Sequence, residues 1–130
     1  MTRNEIIAYW VESSKTNHNS MTNMYANGEH VWALFVGHLC IEKLLKACYV
    51  KEIDTLAPRI HDLYKLALKC NLEMTEEQMD ALQYVTLFNI EARYEEYKCE
   101  FHKKCTKDFT AKNIKTIEGL RTWLLEKITR

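Results

Sequence analysis

Four polar side chains stand on an otherwise apolar stretch, at the spacing of a helix face. His38, Glu42 and Lys46 follow one another at i, i+4, with Lys43 beside them. Residues four apart are neighbours on a helix, and Glu ahead of Lys is the favourable order. The row offers an imidazole, a carboxylate and two ammonium groups to a ligand or a partner. It also fits the snorkelling, salt-bridged edge of a core helix, and elementary physics favours that plainer reading. His61 and Asp62 form a second candidate. A carboxylate-oriented imidazole is a base, but adjacent residues on a helix do not face each other. As a helix start, Asp62 complements the positive end and His61 can cap it. Cys99, His102 and Cys105, two residues apart in each gap, form a third. Three ligands at a spacing unlike the common fingers do not make a zinc site, so no metal is expected. Lys98, Lys103, Lys104 and Lys107 interleave with Tyr97 and Phe101, a local charge of +3 once Glu100 is counted. Basic–aromatic mixtures hold single-stranded RNA by phosphate contact and stacking. More commonly such a run is solvated and turns its aromatics inward. No Gly-rich phosphate loop or Ser-nucleophile motif is present, and no cofactor is called for.

These side chains need elements to hold them, and the hydropathy pattern supplies only helices. Apolar residues from Val31 to Val50 cover nearly the whole circumference at 100° per residue, which marks a helix buried on more than one side. It is predicted to run from about Glu29 to Lys51. Ahead of it, Thr2 and Glu5 form a capping box for a first helix. That helix is marked by Ile6, Tyr9, Trp10, Met21, Met24 and Tyr25, and Gly28 stops it in the left-handed conformation. Its middle, residues 13–20, is polar and depends on packing to stay helical. A connection around Pro58 leads to a short third helix over His61–Cys70, ended by Asn71. Thr75 and Gln78 form a second capping box, opening a fourth helix that carries Leu82, Val85, Phe88 and Arg93. Residues 94–108 read as loop or frayed helix. A last helix is predicted from near Thr110, its N-cap, with an Ile114, Ile117, Leu120, Leu124 and Ile128 stripe. No stretch alternates with period two. The expected architecture is an all-α, up-and-down bundle of four to five helices, in one domain over residues 1–130.

Composition narrows the function classes. The chain has 130 residues, 47% hydrophobic, with three Gly and one Pro, which suits long regular elements. Eighteen basic and 18 acidic residues balance, so no global field draws nucleic acid or an anionic membrane. DNA and membrane partners are not expected. Charged residues interrupt the longest apolar run, so it is not a membrane span. The N-terminal pattern lacks a secretory leader. Five cysteines, an odd count without a disulfide-scaffold pattern, suit a reducing cytoplasm.

The order and spacing of several pieces resemble the HEPN domain family (higher eukaryotes and prokaryotes nucleotide-binding). They are Trp10, Gly28, the stretch Phe35-x6-Glu42-Lys43-x-Leu45-Lys46-Ala47, then His61-Asp62-Leu63 and Ile90-Glu91-Ala92-Arg93-Tyr94. The chain departs from the family's frequent pattern at Asn17, His38 and Glu95, where Asp, Gln and Pro are common. The resemblance implies a helical bundle paired into a homodimer, and two functional classes. Some members are metal-independent ribonucleases with an Arg and a His four to six residues apart. Others accompany small nucleotidyltransferases, bind nucleotides, or act as interaction modules.

Here Arg93 and His102 come nearest to the ribonuclease pair. A His can serve as acid or base on the 2′-hydroxyl and leaving oxygen, and an Arg can stabilise the phosphorane charge. Eight residues stand between them, which on one straight helix is roughly 13 Å along the axis. Only a turn after Tyr94 could bring them together. The chain is therefore expected to be a cytoplasmic, non-catalytic nucleotide- or protein-binding module, paired with a nucleotidyltransferase in a toxin–antitoxin-like or regulatory system. The ligand candidates are His38, Glu42, Lys43, Lys46, His61, Asp62 and Tyr94. The alternative is an endoribonuclease acting on RNA through Arg93 and His102.

Overall fold

The computed structural model describes all 130 residues, and every regular element is a helix. In chain order these are α1 (Arg3–Ala26), α2 (His30–Glu52), α3 (Leu63–Lys69), α4 (Glu76–Glu91), α5 (Glu95–Lys104) and α6 (Lys107–Thr129). Helix α2 touches all five others, which is why its sequence is apolar on nearly every side. Helices α1 and α2 form an antiparallel pair, with Tyr25 stacked near His30 beside their turn. Gly28 takes φ +79° there, the left-handed conformation a side chain would resist. The polar middle of α1 is held by packing, as expected: the buried Ser14 hydroxyl donates to the Cys40 carbonyl at 2.8 Å. Helix α6 runs along α2 in the same direction, and the Lys51 ammonium caps its end by donating to the Lys127 carbonyl at 2.7 Å. One continuous core of 21 buried residues draws on all six helices.

The two capping boxes form as the sequence predicts, Thr2 with Glu5 and Thr75 with Gln78. Other boundaries move. Residues 95–104 are a full helix, so the bundle has six helices where four to five were expected. Glu95 and Glu96 at its start and His102, Lys103 and Lys104 at its end match the helix dipole, and Phe101 anchors it in the core. The last helix starts earlier than the apolar stripe suggests. Its N-cap is Thr106, whose hydroxyl accepts from the Phe109 amide, and not Thr110. Thr110 is buried inside the first turns, and its hydroxyl oxygen has no partner. The two threonines should therefore respond oppositely. Thr106→Ala is expected to cost about 1 kcal/mol in urea denaturation. Thr110→Val, which removes an unsatisfied buried hydroxyl at constant shape, should be neutral or stabilising. Equal losses from both would contradict this assignment.

Candidate functional site

The ridge on α2 becomes a network once the connection before α3 folds back on it. Glu42 lies in the second half of α2 with a side chain only 6% exposed. Its Oε2 receives the Lys46 ammonium at 3.2 Å, the i, i+4 pair that the spacing predicts. Its Oε1 accepts from His61 Nδ1 at 2.8 Å. His38 does not join Glu42; its Nε2–H donates to the His61 carbonyl at 2.9 Å. The two histidines thus work in series, the buried one fixing the backbone of the exposed one. A carbonyl can only accept, so His38 carries its proton on Nε2, and its buried Nδ1 is left without a partner. Burial lowers the His38 pKa, and the Arg93 and His61 charges act in the same direction. The His61 carbonyl and Glu42 oppose them.

His61 lies outside α3, which corrects the expected third helix over His61–Cys70. The cap is Asp62, whose carboxylate accepts from the Lys65 amide at 3.1 Å. The carboxylate that orients His61 is therefore Glu42, 19 residues away, and not its neighbour Asp62. The Leu63 amide, which the cap leaves free, donates to Thr86 Oγ1 of α4 at 3.0 Å. Trp10 of α1 completes the cluster, with the Lys46 ammonium 5.2 Å from its ring centre. Lys43 stands apart. It makes no ion pair, and partial burial lowers its pKa.

The second group surrounds the break between α4 and α5. Helix α4 ends at Glu91, and Tyr94 is extended (φ −87°, ψ 131°) as the N-cap of α5. Arg93 therefore sits in a turn, not on α4 as the periodicity suggests. Its Nε donates to the Asn89 carbonyl at 3.0 Å, and its guanidinium lies over Phe35 at 5.8 Å and Tyr94 at 5.7 Å. It forms no ion pair. His102 is exposed on α5 and lines a cavity of about 510 Å³ with His30, Trp32, Lys98 and Cys105. Arg93 is not among that cavity's walls. The chain turns at Ala92–Arg93, before Tyr94 and not after it, and Arg93 and His102 face different neighbours.

The remaining candidates resolve into structure. Lys98 pairs with Glu95 and Lys103 with Glu100, while Lys104 lies over Tyr84 and Phe109. Phe101 is buried and Tyr97 is exposed, so the basic–aromatic stretch turns only one of its two aromatics inward. Cys105 is buried while Cys99 and His102 are exposed, and no three His, Cys, Asp or Glu side chains converge on a metal position. Burial pushes the Cys48 and Cys70 thiols up to about 12 and that of Cys105 up to about 11, which leaves them protonated and inert. No helix is long and apolar enough to cross a membrane.

Sequence reasoning missed the pairing of Glu42 with His61, the Lys46–Trp10 contact, and the cavity shared by His30 and His102. Each joins residues from separate helices or from a helix and a connection, so no local spacing signals it.

No curated protein and no solved structure matches the chain. The sequence profile of the HEPN domain does match, over residues 7–128, from the first turns of α1 to the last turn of α6. The chain therefore belongs to the HEPN domain family.

Proposed function

We propose that this HEPN domain is a non-catalytic nucleotide-binding module that works as a homodimer beside a small nucleotidyltransferase, in a toxin–antitoxin-like or regulatory pair. The observation that carries the non-catalytic reading is that Arg93 and His102 share none of their neighbours. The Arg93 guanidinium is committed to Asn89, Phe35 and Tyr94, and His102 lines a cavity to which Arg93 does not contribute. General acid–base cleavage needs both groups at one phosphate. Of the carboxylates between them in sequence, Glu95 and Glu100 pair with lysines, and Glu96 is left to repel an incoming phosphodiester. Labelled single-stranded RNA incubated with the protein under metal-free conditions is expected to stay intact. The endoribonuclease alternative draws support from one fact: both side chains are exposed, so they could meet across two subunits. Strong cleavage by wild type, lost in both Arg93→Ala and His102→Ala, would establish that alternative.

The homodimer is supported by the open face of α2. Trp32 is 44% exposed and meets the edge of Phe35 at 5.7 Å, and Arg93 and Tyr94 continue the patch toward α5. Large aromatics and arginine on one surface are the composition of an interface centre. Light scattering is expected to give twice the chain mass of 15.4 kDa. Trp32→Glu should shift the equilibrium to monomer without changing the helical circular dichroism. A wild-type protein that scatters as a monomer across the micromolar range would remove the dimer from this reading.

A further inference from the structure

We infer that Glu42, Lys46 and His61 form a cradle for a phosphate monoester, with Trp10 as the flanking surface for the nucleoside that carries it. This rests on the nucleotide-binding reading and assigns it an anchoring site. A carboxylate that is 6% exposed on a core helix is costly unless both of its oxygens are matched. Here each oxygen holds a different donor, the His61 ring at Oε1 and the Lys46 ammonium at Oε2. Glu42 is thus an organiser that fixes two donors on either side of itself. Neither donor is used up by that contact. Lys46 is 12% exposed, with one proton toward Glu42 and one face against Trp10, and an ammonium has three donors. His61 is 61% exposed, and its Nε2 has no protein partner.

The backbone of His61 is held independently of its ring, by the His38 Nε2–H on its carbonyl. The imidazole is therefore presented in one orientation from both ends. With His61 protonated, one buried negative charge carries two cations, and the surplus of one positive charge faces solvent at Nε2. A monoester phosphate brings up to two negative charges and three acceptor oxygens, enough to offer an acceptor to each donor. An internal phosphodiester has one charge and two esterified oxygens, and fits such a pair less well. Trp10 lies beside Lys46, with Tyr9 edge-on to its ring at 5.3 Å, so an aromatic surface adjoins the cationic pair. A nucleoside monophosphate or a 5′-phosphorylated RNA end carries both features.

The test is calorimetric titration of the whole protein in mildly acidic buffer with AMP, inorganic phosphate, adenosine, and an RNA oligonucleotide with or without a 5′-phosphate. AMP and the phosphorylated oligonucleotide are expected to bind, and adenosine and the unphosphorylated oligonucleotide to bind at least about tenfold more weakly. Binding of inorganic phosphate as tight as that of AMP would keep the cradle and remove the nucleoside contact. His61→Gln is expected to weaken AMP binding about tenfold, since it removes the cation from an exposed position without opening the core. Lys46→Met can disturb packing, so imidazole NMR signals of wild type provide a second readout. AMP should move the His61 resonances and leave those of His102 in place. AMP binding unchanged by His61→Gln, with His61 signals unmoved, would overturn the cradle while leaving the nucleotide-binding module intact. Failure of wild type to bind any of the five probes would overturn both.

Discussion

Gly37→Val should cost about 3 kcal/mol of folding free energy, a large share of the stability of a small domain. Gly37 sits in the middle of α2, where glycine is about 1 kcal/mol worse than alanine on backbone grounds alone. Its presence there has a packing reason. A Cβ built on Gly37 would lie 2.6 Å from Ile117 Cδ1 of α6 and 2.9 Å from Met21 Sδ of α1. Both neighbours are fully buried in the core. Side chains of α1 and α6 close over this point of α2, and the added branched side chain has nowhere to go in an interior packed like a crystal. Gly37→Ala is a milder case, because its gain in helix propensity partly offsets displacement of two flexible side-chain ends. Shortening one neighbour should help, so Gly37→Ala with Ile117→Val is expected to be more stable than Gly37→Ala alone. Urea denaturation of the three variants decides the matter. A Gly37→Val protein with the midpoint of wild type would show that the α1–α2–α6 junction has slack.

The same junction shows which parts of the fold are legible in the sequence. The all-round apolar pattern of residues 31–50 implies burial on several sides, and α2 does contact every other helix. Capping boxes at Thr2 and Thr75 are local codes, complete within four residues, and both appear where they were written. Helix α5 escaped because its signal is of another kind. Among Glu95–Lys104 only Phe101 is buried, so there is no apolar period to find. Its helicity shows in charge instead, acidic residues first and basic residues last. The start of α6 was missed for a related reason. The apolar stripe begins at Ile114, and the turn before it is polar, so the stripe points to the nearer threonine and the hydrogen bond forms at the earlier one.

The candidate site divides along the same line. Glu42 with Lys46 is an i, i+4 pair and is read directly from spacing. Glu42 with His61 joins α2 to the connection after it, and nothing in either segment alone predicts their meeting. Asp62 was the nearer carboxylate in sequence, but its side chain turns to the Lys65 amide, and the His61 ring meets Glu42 instead. The ridge is thus neither a solvated edge nor a simple row. His38 is wholly buried, Glu42 nearly so, and the exposed end of the chain of contacts is a residue from another segment.

Glu42→Ala should lower stability by about 2–3 kcal/mol, more than an exposed charge would. Two separate losses add up to this value. Lys46 is left with an ammonium that is 12% exposed and faces only Trp10, so a nearly buried cation loses its counter-charge. His61 loses the acceptor that fixes its ring, and the connection before α3 loses one of its ties to α2. The connection does not come free, because His38 still holds the His61 carbonyl and Thr86 still holds the Leu63 amide. That is why the expected loss is a few kcal/mol and not global unfolding. The two contributions separate by double-mutant analysis. In a Lys46→Met background the buried cation is already gone, so Glu42→Ala should cost clearly less than in wild type. In a His61→Gln background most of the Glu42→Ala penalty should remain, since the imidazole is largely exposed and its pair with Glu42 is screened by solvent. Thermal denaturation of wild type, the three single variants and the two double variants measures both couplings. A Glu42→Ala protein that melts with wild type would mean that water already solvates Lys46, and that the ridge has no stake in the core beneath it.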